Sequence, residues 1–176
     1  DPHRAELIGI SISSKIGEAY YIPLNHKNFK NLNEKNVLKK LQNILEDKSI
    51  KKIGQNIKFD YIILYHRGID IEPLEDTMLM SYVLDAGKNR HNMDTLSEIH
   101  LGHKTISYKD LVGSGKKQIN FSEVKVEFAK DYAAEDADIT FRLYKKFLSN
   151  LKKQKLMNIY ETFEKPLIKI LAHMEM

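Results

Sequence analysis

The sequence predicts an α/β fold in which helices flank a mixed β-sheet. Residues 5–13 alternate apolar with small or polar side chains, the period of two that is typical of a half-buried strand. Residues 18–23 follow a short turn and have a similar composition, which indicates an antiparallel hairpin. A helical pattern then separates the hairpin from another short strand, residues 51–54. Because a strand reached through a helix is most simply a parallel one, we expect it on the other side of the same sheet.

Local signals mark the ends of these first elements. Gly17 can adopt the positive φ that a tight turn needs, so residues 15–17 are the expected hairpin turn. Pro23 has no N–H to donate and should end the second strand. Asn33 can cap the helix that follows, whose apolar residues form one stripe and which should end near Asp47.

The middle of the chain is expected to continue the alternation of helices and strands. Residues 58–67 should form a second helix that ends at Gly68, because glycine is a common C-terminal stop. Residues 71–77 are expected to form one more strand. Short helices are predicted at residues 78–84 and 93–101.

The second half is expected to be mainly helical after one long loop. Three glycines and many lysines make residues 102–120 an expected mobile surface loop. Ser122 can cap a long helix, and Pro166 should interrupt the last segment, so that residues 157–176 form separate helices or a kinked one. The apolar stripe predicted for the long helix is Val126, Ala129, Ala133, Ala137, Phe141, Tyr144 and Leu148.

The composition is that of a globular chain. Of the 176 residues, 42% are hydrophobic and 30% charged, which argues against a wholly disordered or a fibrous protein. The absence of cysteine excludes a disulfide framework, a thiolate zinc site and a cysteine nucleophile. A net charge of +4 permits contact with a polyanion without demonstrating it. No apolar run reaches the roughly 18 residues of a membrane span, and the first residues resemble neither a signal nor a transit peptide.

The first candidate for chemistry is the segment of residues 54–60, Gly-Gln-Asn-Ile-Lys-Phe-Asp. It lies where a predicted strand ends and a helix begins, which is where open α/β sheets bind their ligands. Asp60 would lie in the first helical turn. On spacing alone, Asp60 could equally be a negative charge that stabilises the positive end of the helix dipole.

The second candidate is the segment Tyr-Ala-Ala-Glu-Asp-Ala-Asp on the long helix. Tyr132 and Asp136 are four residues apart, so they share a face and can reach a common water or metal. Glu135 and Asp138 are rotated from Asp136 by roughly 100° and 200°, so the three acids cannot address one point. Only one acid of the cluster is therefore expected to be a ligand. The alternative is a solvated acidic face anchored by the tyrosine.

These two segments occur in order with a third between them, His-Asn-Met-Asp-Thr-Leu at residues 91–96. Further segments agree with the same pattern, at residues 18–24, 76–79, 103–106 and 163–167. The ordered series closely resembles the 3′-5′ exonuclease domain of bacterial family A DNA polymerases, the DNA polymerase I type, over essentially the whole chain.

The resemblance implies a ribonuclease H-like exonuclease fold and an active site of the tyrosine-branch DEDD type. In such a site four carboxylates hold two divalent metal ions, Mg²⁺ or Mn²⁺, and a tyrosine positions the attacking water. By motif, Asp60 and Asp136 resemble metal-binding aspartates and Tyr132 resembles that tyrosine, so these three are the expected catalytic residues. The resemblance also implies contacts with single-stranded DNA at Gln55, Asn56, Phe59, Arg90 and His91.

The sequence departs from the family pattern at its beginning. The family's first motif, an Asp-x-Glu on the opening strand, would lie just upstream of the segment that matches Asp1 and Pro2, so that strand and both acids are missing. Residues 70–72 read Asp-Ile-Glu but follow the expected helix stop, in the wrong part of the fold. We therefore expect these residues alone to be inactive or nearly so, and the metal pair to be complete only with the missing acids. We also expect unpaired groups in mid-sheet to destabilise such a fragment, and the physical polypeptide to extend upstream.

The resemblance implies a proofreading module that removes mismatched 3′-terminal nucleotides by two-metal phosphodiester hydrolysis. Residues 1–155 are the expected exonuclease domain, and residues 156–176 the start of the polymerase domain or a connecting helix. The expected partners are a single-stranded 3′ end of DNA and the polymerase domain of the same chain, in the bacterial cytoplasm with the nucleoid and without a membrane. Two alternatives remain open: a vestigial exonuclease domain that only supports the polymerase or binds DNA, and a stand-alone ribonuclease.

Overall fold

The computed structural model describes residues 5–176. Asp1 to Arg4 lie outside the described residues, and so does the segment of Asp1 and Pro2 that matches the family pattern. Within the described part, no helix is both long and apolar enough to cross a bilayer. The strands of this part are β1 (Gly9–Lys15), β2 (Glu18–Pro23), β3 (Lys52–Gly54) and β4 (Leu74–Asp76). Its α-helices are α1 (Glu34–Leu45), α2 (Lys58–Tyr65), α3 (Thr77–Asp85), α4 (Met93–Leu101), α5 (Tyr108–Val112), α6 (Val126–Lys153), α7 (Met157–Ile159) and α8 (Lys165–Glu175).

The hairpin forms as predicted. β1 and β2 pair antiparallel, with Gly9 opposite Pro23, and Pro23 is the last residue of its strand. Gly17 has a φ of +82° in the turn, a conformation that glycine adopts without steric cost. The backbone N–H of Gly17 donates to Oδ1 of Asp138 (2.7 Å), which ties the hairpin turn to α6.

The other two strands form a separate parallel pair. Lys52 of β3 lies opposite Leu74 of β4, and Gly54 lies opposite Asp76. This corrects the expectation that β3 extends the sheet of the hairpin, because residues 5–176 contain two two-stranded sheets. The physical reason is that β3 takes its hydrogen-bonding partner from β4, later in the chain, while no strand among residues 5–176 bridges the two pairs.

The helices that flank β3 begin and end where the sequence predicts. Oδ1 of Asn33 accepts the backbone N–H of Asn36 (3.0 Å), so Asn33 caps α1 as expected. The segment after α2 turns at Gly68, which has a φ of +78°. α2 starts after a short turn that follows β3, and it ends before the connection to β4.

The segment of residues 102–120 differs from the expected mobile loop. It contains α5 and a 3₁₀ turn, Gly115–Lys117. Val112 of α5 is only 2% exposed and packs against Val124 and Ala129. An apolar anchor that composition did not reveal thus holds part of this segment against the fold.

The long helix begins later than the cap expected at Ser122. Phe121–Glu123 forms a 3₁₀ turn, which Asn120 and Glu123 close with reciprocal side-chain to backbone hydrogen bonds. α6 begins after it, at Val126. At the other end of the chain, the expected separate helices are α7 and α8, with a π-helical turn (Tyr160–Glu164) between them. The irregular turn lies just before Pro166, which stands in the first turn of α8.

α6 organises the core, because the hairpin covers one side of it and α3 and α4 cover another. Its buried stripe differs from the predicted one. Ala133, Ala137 and Phe141 are only partly buried. The buried residues of α6 are Ala129, Ile139, Thr140, Leu143, Tyr144, Phe147 and Leu151. Contact on two sides is the reason that no single stripe describes this helix.

Candidate active site

The turn between β3 and α2 places Asp60 at the end of the parallel strand pair. Gly54 ends β3, and a Cβ at this position would lie 2.8 Å from the side chain of Ile57, so the turn has room only for glycine. Asn56 has a φ of +58°, an uncommon conformation for a residue with a side chain. α2 starts at Lys58, which puts Asp60 in its first turn, as predicted.

The pKa of Asp60 is raised. Its side chain is exposed by surface area, yet it stands among enough protein atoms that lost hydration raises its pKa to about 6. The negative charge of Asp76 adds to this rise, and a backbone N–H opposes it. A carboxylate that is open to solvent and costly to ionise is suited to bind a cation, because a cation would offset the cost.

Tyr132 and Asp136 lie beside each other on α6, as their spacing of four residues predicts. The phenol of Tyr132 is close enough to interact with the carboxylate of Asp136, and both side chains are partly buried. Burial raises the pKa of Asp136 to about 7, with further contributions from the charges of Glu135 and Asp94. Burial and the adjacent Asp136 raise the pKa of Tyr132 as well, so the phenol stays protonated at neutral pH.

Aromatic contacts fix the ring of Tyr132. Its centroid lies 5.9 Å from the ring of Tyr108 and 6.1 Å from the ring of Phe121. Tyr108 belongs to α5, in the segment that was expected to be a mobile loop. Part of that segment therefore packs against the candidate active site.

The other two acids of the α6 cluster have different partners. Glu135 binds Nε2 of His103 (2.8 Å) and accepts the backbone N–H of Ile106 (2.6 Å). Asp138 accepts the N–H of Gly17 and pairs with Arg142 (2.7 Å). The prediction that the three acids cannot address one point is confirmed.

The structure thus brings Tyr132 and Asp136 together. The acid whose charge raises the pKa of Asp60 is instead Asp76. Within residues 5–176, no group of three or more His, Asp or Glu side chains has an arrangement that could hold a metal ion. Residues 70–72, the other Asp-x-Glu, lie between α2 and β4, where Lys169 pairs with Asp70 (2.9 Å). The candidate ligands among the described residues are therefore two separate carboxylates.

The residues expected to contact DNA fall into two groups. Asn56, Phe59 and Arg90 are exposed. Gln55 is instead engaged within the protein, because its Nε2 donates to the carbonyl of His91 (2.7 Å) and its Oε1 accepts from Thr77 (2.5 Å). Gln55 therefore fixes the end of β3 to the segment that begins at His91.

Asp76 is not among the residues that the sequence predicts for the site. Asp76 is 1% exposed, and its carboxylate accepts four backbone N–H groups from two parts of the chain. The only sequence signal is an Asp before Thr-Met at the start of a helical pattern, which is a common N-cap position. That signal indicates a cap for α3 but not the contact with the turn before α2.

Comparison with known proteins decides the family. The model of the family described as 3′-5′ exonuclease matches residues 1–152. The chain belongs to this exonuclease family. The ribonuclease H-like exonuclease fold expected from the resemblance is confirmed by solved structures. Brucella melitensis NrnC aligns with a TM-score of 0.71 and 25% identity, over 98% of this chain and 76% of NrnC.

The similar curated proteins of this exonuclease family are DNA polymerases I. The protein from Rhizobium leguminosarum is 42% identical over 99% of this chain and 19% of its own length. The protein from Borreliella burgdorferi is 41% identical over 99% of this chain, again 19% of its own length. This chain thus spans about a fifth of the length of these relatives. It matches their exonuclease part.

Proposed function

We propose that this chain is the proofreading exonuclease module of a DNA polymerase I, which removes mismatched 3′-terminal nucleotides by hydrolysis. The observation that carries the proposal is the pair of Tyr132 and Asp136, adjacent on one face of α6, in a chain of the exonuclease family. The polymerases that match 99% of this chain support a polymerase as the parent protein. We assign residues 1–155 to the exonuclease domain and residues 156–176 to the connection with the polymerase domain.

The donor chemistry of the site fits hard divalent cations such as Mg²⁺ or Mn²⁺, because its candidate ligands are carboxylate oxygens. A structure of Brucella melitensis NrnC with bound Mg²⁺, which aligns with a TM-score of 0.68, supports this choice. When bound, two such cations would lower the pKa of a water and neutralise charge on the leaving 3′ oxygen. Asp136 would hold the cation that serves the attacking water, and Asp60 would hold the cation that serves the leaving oxygen.

Tyr132 is the proposed residue that orients the attacking water. Its raised pKa keeps the phenol protonated, so it acts as a hydrogen-bond donor rather than as a base. The rings of Tyr108 and Phe121 restrict its side chain, which limits the positions that a water held by the phenol can take. Orientation of this kind lowers the activation barrier without new covalent chemistry.

The proposed substrate is a single-stranded 3′ end of DNA. Phe59 is 39% exposed and lies one residue before Asp60, so its ring is available to stack on a base beside the acid. Asn56 and Arg90 are exposed, and Arg90 offers a positive charge to phosphate. Gln55 and His91 have an indirect role in this proposal. Their hydrogen bond fixes the end of β3 to the segment that begins at His91.

We also propose that residues 1–176 do not cleave DNA by themselves. Asp60 and Asp136 are two of the four acids that the family site requires, and two carboxylates cannot neutralise two dications. Adding the upstream Asp-x-Glu segment should restore release of mononucleotides from a labelled single strand in Mg²⁺. Equal release by residues 1–176 without that segment would refute this part of the proposal.

The main test uses the full-length protein and a 3′-labelled single-stranded oligonucleotide in Mg²⁺. Asp136→Asn should lower the rate of mononucleotide release by at least about 100-fold, because it removes a negative ligand, and Tyr132→Phe should lower it less. Asp131→Asn is the matched control, since Asp131 is an exposed acid of the same helix paired with Lys130. Polymerase activity should stay unchanged in all three variants. Full cleavage by Asp136→Asn would contradict the proposal.

The same assay tests the vestigial alternative. A wild-type protein that binds the labelled strand but releases no mononucleotide would favour a domain that only supports the polymerase or binds DNA. A wild-type protein that degrades RNA and leaves DNA intact would favour the ribonuclease instead.

A further inference from the structure

The carboxylate of Asp76 links two helix starts that are about 20 residues apart in the sequence. Its Oδ1 accepts the backbone N–H groups of Asn56 (3.1 Å), Met78 (2.8 Å) and Leu79 (3.4 Å). Its Oδ2 accepts the N–H of Ile57 (2.9 Å). Asp76 is 1% exposed, so water does not compete for these bonds. One buried side chain therefore fixes the starts of α2 and α3 relative to each other.

The start of α2 depends on this bond. Its N-cap residue, Ile57, has no side chain that can accept an N–H, and the cap forms no side-chain hydrogen bond of its own. The first N–H groups of a helix need a partner from elsewhere. Asp76 supplies that partner from β4, while Asn56 adopts the positive φ that turns its N–H toward the carboxylate.

Neighbouring contacts hold Asp76 itself in place. Its backbone N–H donates to the phenol of Tyr160 (3.0 Å), and the strand register sets it opposite Gly54. The adjacent Thr77 donates to the carbonyl of Gly54 (3.1 Å) and to Oε1 of Gln55. The turn before α2 is thus clamped from β4 at several points, and Asp60 is three residues beyond the clamped Ile57.

We propose that Asp76 is a positioning residue, which holds the first turn of α2 so that Asp60 presents its carboxylate at the site of the cation. This inference rests on the proposed function, in which Asp60 is a metal ligand. Asp76 acts through the backbone of α2 and does not itself touch substrate or cation. Loosening the clamp should therefore weaken the response to the cation, and also the binding of DNA by Asn56 and Phe59 in the same turn.

The test compares Asp76→Asn and Asp76→Ser in the full-length protein. Asparagine has the size of aspartate, but replaces one accepting oxygen with an NH₂ group that repels the N–H groups at the start of α2. Serine still caps α3 but is too short to bridge to Asn56 and Ile57. Both should lower kcat for mononucleotide release about 10- to 100-fold and raise the Mg²⁺ concentration for half-maximal rate several-fold. KM for the single strand should also rise, because Asn56 and Phe59 lie in the same turn as Asp60.

A second measurement needs no cation. In the metal-free protein, amide hydrogen exchange of residues 56–61 should speed up at least ten-fold in both variants. Phe147→Leu is the control, because Phe147 is fully buried in α6 and its truncation tests general loss of stability. This control should leave the Mg²⁺ dependence and the exchange of residues 56–61 unchanged.

The possible results separate this inference from the proposed function. Full cleavage by Asp136→Asn would refute the nuclease assignment itself. Loss of cleavage in Asp136→Asn together with wild-type Mg²⁺ dependence in both Asp76 variants would refute only the positioning role. An equal shift in Phe147→Leu, or failure of both Asp76 variants to fold, would show that Asp76 serves stability alone and would also overturn the proposal.

Discussion

Among single residues, the acids of α6 differ in how their charges affect the stability of the folded protein. Glu135 and Asp138 accept hydrogen bonds from the backbone of other segments, which stabilises their charges. Asp136 lies beside the phenol of Tyr132, but burial and the charges of Glu135 and Asp94 raise its pKa to about 7. An acid whose pKa is raised in the folded state binds more protons there than in the unfolded state. Its contribution to stability therefore falls as the pH rises from 3.8 to the folded pKa of about 7, and the loss is complete above that pH.

This sign leads to a prediction for the metal-free protein. Asp136→Asn should raise the free energy of unfolding at pH 8 by about 1 to 2 kcal/mol, after allowance for solvent screening. The gain should shrink as the pH falls from 7 toward 3.8, because the proton that folded wild-type Asp136 holds is then increasingly bound in the unfolded state as well. Urea unfolding at pH 5 and pH 8 measures both effects. Asp131→Asn should change neither value, and a loss of stability in Asp136→Asn at pH 8 would contradict the prediction.

Sequence spacing was sufficient where the interacting residues are neighbours on one helix. The pairing of Tyr132 with Asp136 and the divergence of Glu135 follow from the geometry of a helical turn. The role of Asp76 could not be predicted in this way. Its bonds to Asn56 and Ile57 exist only because β3 and β4 pair in parallel, which places Gly54 opposite Asp76. Long-range register of this kind is not encoded in local pattern.

Among the elements, α6 holds the segment of residues 102–107 through one side chain. Glu135 binds both His103 and the N–H of Ile106. Glu135→Ala should remove both bonds, lower the free energy of unfolding by about 1 kcal/mol and speed amide exchange at residues 103–107. Exchange measured by mass spectrometry tests this. Glu127→Ala, at an exposed position of the same helix, should leave that exchange unchanged. An equal effect of both variants would show that Glu135 does not anchor the segment.

The boundaries of elements were predictable where capping residues are decisive. Asn33, Gly68 and Pro166 mark ends that the structure reproduces. The start of α6 was missed because Asn120 and Glu123 close a 3₁₀ turn first, which leaves Ser122 inside that turn. α5 was missed because glycine and lysine dominate its surroundings, while its burial depends on Val112 packing against distant residues.

In the whole molecule, a buried carboxylate joins the parallel strand pair to the C-terminal helices. Glu75 of β4 is 1% exposed. It accepts from the phenol of Tyr160 (3.0 Å) and from Nζ of Lys165 (3.0 Å), and it pairs with Lys51 (3.1 Å). Tyr160 also accepts the N–H of Asp76, so the same contact supports the clamp at the start of α2. Local sequence patterns do not reveal this network, because its bonded partners lie up to 90 residues apart.

Removing the charge of Glu75 should therefore weaken the whole fold. Glu75→Gln leaves Lys165 without its buried counter-charge, so the free energy of unfolding should fall by about 1 to 3 kcal/mol. Glu161→Gln is the matched control, because Glu161 pairs with the same lysine at 3.0 Å but is 43% exposed. It should cost at most about 0.5 kcal/mol, since exposed ion pairs contribute little. Urea unfolding measures both free energies of unfolding. A loss in Glu75→Gln no larger than in Glu161→Gln would mean that this network does not hold the parallel strand pair to the C-terminal helices.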